Sequence, residues 1–284
     1  MQDRLKIALL LAPAFAVIIV LFFGGLAVGL LRSFNYMPVI GLTEPNLDAY
    51  KSLLTPAVLR SLGLTFYIAA TSTVIATLLA VATALQLRRS FPGRSMASIL
   101  VQLNLTIPHL VGAIGILYLF SQAGSFARLA HDFALIAKPA DFPALVFDPY
   151  AIGVILTYVW KEVPFITVIT LATLQALGDD HETIARTLGA TRWQAFRHVL
   201  LPQIMPGVLA ASAIVFAFTF GAYEIPALLG ASHPQTLPVM AYRSFTDVDL
   251  AARPQAMALA MLIALVSGVM IAVYKSAMRG KGRG

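Results

Sequence analysis

The chain is a succession of apolar runs, each long enough to cross a bilayer, separated by shorter polar stretches. The runs fall at about residues 5–31, 57–87, 96–121, 150–177, 203–231 and 255–277. A helix rises 1.5 Å per residue, so about 20 apolar residues cross a hydrocarbon core of ~30 Å. The expected fold class is therefore all-α integral membrane, with six transmembrane helices in one domain, 1–284. Composition agrees: 59% of the residues are hydrophobic and 12% are charged, where a soluble domain carries about 25% charge. There is no cysteine, hence no disulfide framework and no thiolate metal site.

The first run follows Arg4 and Lys6 and is too long for a signal-peptide core. No small-residue cleavage pattern follows at Leu31-Arg32-Ser33, so an uncleaved span is expected. Gly25 and Gly29 form a GxxxG pattern there. Asn104 and Pro108 interrupt the third run, with His109 beside them as a packing residue. The aromatic-rich stretch 122–149 reads as a loop with a short re-entrant or interfacial helix. Of the 20 basic residues, twelve lie in one alternate set of short loops and tails: Arg4, Lys6, Arg88, Arg89, Arg94, Arg186, Arg192, Arg197, Lys275, Arg279, Lys281 and Arg283. The positive-inside bias puts that set, and both termini, in the cytoplasm. The same distribution explains the net charge of +7 without nucleic acid as a partner.

Between the fourth and fifth spans lies a polar island, 178–202, with helix signals at both ends. Asp179 and Asp180 stand where an N-cap is wanted. Ile184 and Leu188 share a face. Gly189 can take positive φ and end a first short helix. Thr191 and Gln194 form a capping-box pattern that starts a second. Trp193, Phe196 and Leu200 make a narrow apolar stripe, and Pro202 is expected to break the ladder before the next span. Such a helix–glycine–helix hairpin either floats in the headgroups or serves as a peg for a soluble partner.

Two charges stand inside the fourth span. Lys161 and Glu162 fall about 18 Å in, near the midplane. A charge there costs on the order of 2.5–3.5 kcal/mol on insertion scales, so both should face protein or water. Adjacent helix residues do not face each other, so each should pair with another helix. Pro164 frees the carbonyl of Trp160 beside them. They line a pathway or form structural pairs. Tyr223 and Glu224, near the end of the fifth span, either line an outer mouth or pin a loop.

The island resembles the coupling loop of ABC-importer permeases, whose frame is Glu-Ala-Ala, three residues, Gly, nine residues, Ile, one residue, Leu-Pro. Ala185, Gly189, Val199, Leu201 and Pro202 fall on that frame. Thr183 and Ile184 replace the Glu and first Ala, and Glu182 lies one residue early. With Trp160–Phe165 and residues 220–230, the chain looks most like the spermidine/putrescine branch and its ferric-iron, thiamine and aminophosphonate relatives. The resemblance implies a permease subunit that forms a translocation pathway through Lys161, Glu162, Tyr223 and Glu224. It implies ATPase docking through Glu182, Ala185, Leu188, Gly189, Ala190, Trp193, Phe196, Leu201 and Pro202. The implied partners are two ABC ATPase subunits, a second permease subunit (a copy or a homologue), an external or periplasmic solute-binding protein, and inner-membrane lipid.

The chain has no GxxxxGK[ST] loop, no HExxH helix and no nucleophile–base spacing. Neither a catalytic residue nor a metal site is expected, and ATP and Mg would sit on the partner ATPase. A stand-alone secondary transporter or channel, using Lys161 and Glu162 as a relay, is the rival. A membrane-embedded enzyme ranks below both.

Overall fold

The computed structural model describes residues 2–178 and 180–281. Among them it is all-helical, with an isolated bridge between Met37 and Leu42 and no strand. In chain order the helices are α1 (Gln2–Val17), α2 (Gly24–Ser33), α3 (Asp48–Lys51), α4 (Pro56–Arg88), α5 (Arg94–Thr106), α6 (His109–Phe120), α7 (Ser125–Asp132), α8 (Ile152–Leu177), α9 (Asp180–Thr187), α10 (Arg192–Ala195), α11 (Leu201–Gly221), α12 (Glu224–Leu229), α13 (Leu237–Phe245) and α14 (Arg253–Lys281). Among the described residues, six stretches are long and apolar enough to cross a membrane: Leu9–Ser33, Pro56–Arg88, His109–Asp132, Ile152–Leu177, Arg192–Gly221 and Leu250–Ser276.

Two expected spans are redrawn. The third does not run unbroken from 96 to 121. Ile107 and Pro108 are extended, so α5 stops at Thr106 and α6 starts afresh at His109. The reason is Pro108, which has no N–H to continue the ladder and keeps its predecessor out of helical ψ. The fifth span starts earlier and ends earlier than 203–231. A π-helical turn, Phe196–Leu200, joins α10 to α11 without a break, so Pro202 does not end the helix. It sits in the first turn of α11, directly after the π-helical turn, where the ladder is already shifted from its regular spacing. At the far end the chain leaves helix at Ala222, and α12 is a separate short helix.

The chain divides into two compact units. One comprises residues 1–59 and 237–265. Within it, Gly29 lies where a Cβ would be 3.3 Å from the Met261 methyl, so glycine lets α2 meet α14 closely. Gly25 has open space around it. Ser33 and Tyr50 share a 2.7 Å hydrogen bond between their hydroxyls, and the Arg253 guanidinium lies over the Phe245 ring.

The other unit comprises 60–236 and 266–284 and is built around α8. Residues 154, 158, 166, 170 and 174 repeat every four or eight positions along α8 and are all buried. Ala76, Ala80 and Ala84 of α4 are completely buried in clusters with Ile166 and Leu174 of α8 and with Ile204, Val208, Ala211 and Val215 of α11. In lipid there is little hydrophobic drive between helices. Association rests on close van der Waals packing and interhelical hydrogen bonds, and small side chains permit the approach. A hydroxyl pair, Thr77 to Ser212 at 2.8 Å, ties α4 to α11. Where stretch 122–149 is expected to hold a short helix, α7 forms, and Phe147 N–H donates to Leu229 C=O at 2.9 Å, fastening the segment to α12.

Candidate functional site

The hairpin follows from its own sequence. Helix α9 ends in a Schellman turn. Ala190 N–H reaches Ala185 C=O at 3.1 Å and Gly189 N–H reaches Arg186 C=O at 3.0 Å, with Gly189 at φ 93°. These bonds satisfy carbonyls that the helix end would leave bare. Two residues on, Thr191 Oγ1 accepts from Gln194 N–H at 3.3 Å, and Gln194 Oε1 accepts from Thr191 N–H at 2.8 Å. That is a complete capping box. The expectation that Asp179 and Asp180 side chains cap α9 lies outside the described residues.

The hairpin's apolar residues divide into a free tip and a root. Leu188 is 83% exposed, Trp193 64% and Ile184 58%. The Trp193 ring leans on Phe196 with centroids 5.5 Å apart. The expected stripe does not stay together: Leu200 is buried, and Leu201 packs against Ala84, Leu174, Ile204 and Val208. These two residues therefore root the hairpin in the bundle, and the exposed tip consists of Ile184, Leu188 and Trp193. Ala185 and Ala190 are half-buried and Pro202 is exposed. Glu182 turns inward, where its Oε2 accepts from Arg88 Nη1 at 2.9 Å, while Arg88 Nη2 donates to Gly178 C=O at 3.2 Å. The end of α4 thus clamps the start of the hairpin.

The charges of α8 lie about 14 Å from its start, at 1.5 Å per residue. Lys161 and Glu162 are both buried, and they turn to different partners. Lys161 Nζ donates to Asn104 C=O and Ile107 C=O, each at 2.6 Å. These carbonyls lie at and just past the end of α5, where the break at Pro108 removes a helical donor and leaves Asn104 C=O only a 3.3 Å bond from Ile107 N–H. A regular helix would send the N–H of residue 108 to Asn104 C=O, and proline has none. The ammonium replaces it and also meets the negative end of the α5 dipole.

The favour is returned. Pro164 leaves Trp160 C=O without its intrahelical donor, and Asn104 Nδ2 donates to that carbonyl at 2.5 Å. Asn104 Oδ1 faces Lys161 Nζ at 3.4 Å. Two helices, each lacking one backbone donor because of a proline, therefore repair each other through Asn104 and Lys161. Glu162 completes the node. Its Oε1 lies 3.2 Å from His109 Nε2, at the first residue of α6, where the positive end of a helix favours a carboxylate. The His109 ring also lies 5.0 Å from that of Phe218 on α11. Trp160 packs so tightly on α6 that a Cβ at Gly112 would come within 2.6 Å of its ring.

Sequence reasoning marks Asn104 only as an interruption and misses its role. The available signal is its position four residues before Pro108. Tyr223 is half-buried and Glu224 exposed at the start of α12. No hydrogen bond or ion pair joins Glu224 to the Lys161–Glu162 node among the described residues.

Residues 72–278 match the family model described as binding-protein-dependent transport system inner membrane component. The chain is 30% identical over 225 residues to the molybdenum transport system permease protein ModB of Mycobacterium tuberculosis, covering 77% of this chain and 79% of the relative. It is 26% identical over 218 residues to the probable sulfate transport system permease protein cysT of Marchantia polymorpha, covering 76% and 72%. In fold it is similar to a chain of a bacterial ABC transporter involved in import of the acidic polysaccharide alginate. That likeness has a TM-score of 0.80 at 19% identity, over 98% of this chain and 96% of that one. The chain belongs to the binding-protein-dependent transport system inner membrane components, and is a multi-pass inner-membrane permease subunit of an ABC importer.

Proposed function

We propose that this permease imports a tetrahedral oxyanion of the sulfate or molybdate class, driven by a separate ATPase that docks on the 178–202 hairpin. The observation that carries the substrate class is the similarity to permeases named for molybdenum and sulfate transport. Molybdenum travels in water as molybdate, a dianion shaped like sulfate, so one recognition chemistry serves both names. The polyamine expectation gives way, because a polyamine is cationic and neither relative is named for one.

The docking assignment rests on the hairpin's build. A capped, hydrogen-bonded turn presenting Ile184, Leu188 and Trp193 costs little further ordering when a groove closes on it. Movement of the hairpin has a direct route inward, because α10, the π-helical turn and α11 are one helical run. Helix α11 in turn packs on α8. The clustering of basic residues supports a cytoplasmic hairpin and cytoplasmic termini, and an external binding protein would deliver the anion to the opposite face. A second permease subunit would complete the pathway. Coupling requires that nucleotide state and cargo each favour one conformation.

The test is uptake by liposomes holding this permease with its co-purified ATPase and binding protein. Labelled sulfate and molybdate should accumulate with ATP, compete with each other, and ignore excess spermidine. Accumulation of spermidine in place of the anions would overturn the substrate class. Uptake by the permease alone would overturn the coupling and favour the secondary transporter.

A further inference from the structure

Beside the hairpin is a cleft of about 510 Å³, and half of the residues that line it are arginine. Three separate stretches supply them: Arg88 and Arg89 at the end of α4, Arg94 at the start of α5, and Arg186 and Arg192 from the hairpin. Against these five guanidinium groups, the described lining residues include one carboxylate, Glu182, already paired with Arg88. Arg94 Nε donates to Leu87 C=O at 2.8 Å. The guanidinium groups of Arg89, Arg186 and Arg192 make no hydrogen bond or ion pair among the described residues.

Like charges gathered in one cleft repel one another and raise the local concentration of anions. Guanidinium is a planar fork that matches phosphate oxygens two at a time. The cleft also has a definite depth. Arg88 is the last residue of an apolar span, and Leu85, one turn earlier, lines the same cleft. It therefore opens where hydrocarbon gives way to headgroups, a place where basic pockets between helices hold lipid phosphates.

We propose that this cleft is a binding site for a phosphate-class anion, held by Arg89, Arg186 and Arg192, with Arg88 and Arg94 fixing its walls. Its level at the span ends makes the headgroup of an anionic phospholipid the source. A phosphate there bridges the α4–α5 turn to both helices of the hairpin, and so steadies the element that the ATPase would grip.

The experiment uses the full chain, delipidated in an uncharged detergent. It is titrated with phosphatidylglycerol, with phosphatidylcholine and, separately, with inorganic phosphate, while native mass spectrometry and thermal melting are read. Phosphatidylglycerol should bind at one equivalent and raise the melting temperature, and phosphatidylcholine should do neither. The combined variant Arg89→Gln, Arg186→Gln, Arg192→Gln should lose on the order of 100-fold in affinity, from about five-fold per arginine near a membrane surface. A control with the same charge change outside the cleft, Arg128→Gln, Arg197→Gln, Arg243→Gln, should keep it. Should the combined variant not fold, Arg186→Lys retains the charge, loses the fork, and should weaken binding several-fold. Arginine-dependent binding of inorganic phosphate alone supports the site with a soluble source. Equal phosphatidylglycerol binding by the combined variant, equal loss in the control, or no binding by the native chain would each overturn the proposal. Loss of ATPase co-purification by the combined variant with lipid binding unchanged would overturn it too, and assign the arginines to the ATPase.

Discussion

Replacing Asn104 with Ala should destabilise the native chain and do far less harm in a chain that also carries Pro164→Ala. In a regular helix the N–H of residue 164 would donate to Trp160 C=O. Pro164 cannot, and Asn104 Nδ2 supplies the missing donor at 2.5 Å. Asn104→Ala leaves that carbonyl inside the bundle without a donor, a loss of about 1–3 kcal/mol. Interhelical hydrogen bonds in membrane bundles average about 0.6 and reach ~1.7 kcal/mol, so roughly 1–2 kcal/mol is expected here. Pro164→Ala restores the donor in place, because α8 is already continuous from Ile152 to Leu177. In that background Asn104→Ala still opens a small void, but no longer orphans Trp160 C=O. Lys161 keeps its two backbone acceptors throughout. The double-mutant cycle should therefore show coupling of about 1 kcal/mol, measured by steric-trap or detergent unfolding of the purified chain. Costs that add to within about 0.3–0.5 kcal/mol would refute mutual repair of the two helices.

Lys161→Met removes the donor shared by Asn104 and Ile107 but also relieves the burial of an ammonium. A net loss on the order of 2 kcal/mol is expected, with uptake per folded chain retained; loss of uptake at full stability would place Lys161 in the pathway. A Cβ at Gly189 would meet nothing within 4 Å, so the penalty for Gly189→Ala is the positive φ alone, about 1 kcal/mol. ATPase co-purification should weaken in that variant and recover in Gly189→Asn, which tolerates this backbone better; equal binding by all three chains would show that the turn does not shape the docking tip. Arg88→Glu and Glu182→Arg should each lower the coupling of ATP hydrolysis to uptake, and the double exchange should restore part of it, since the pair clamps the hairpin to α4. No recovery in the exchanged chain would mean that the two residues act separately.

The membrane class, the six crossings and the hairpin's two helices were legible in the sequence because each depends on neighbours along the chain. Apolar length settles a crossing, and a capping box or a glycine turn closes over three to six residues. Residues Thr191, Gln194 and Gly189 thus announce their structure wherever the chain places them. The partners of Lys161 and Glu162 were not legible. Asn104, Ile107 and His109 lie more than fifty positions earlier, and only the packing of α5 and α6 on α8 brings them together. The prolines show the same division. Sequence reveals that Pro108, Pro164 and Pro202 each remove a donor, but three different outcomes follow: a break, a continuous helix and a helix start reached through a π-helical turn. At Pro108 and Pro164 the freed carbonyl meets an ammonium or an asparagine from another helix, and those partners are supplied by tertiary structure alone, because they lie far apart in the chain.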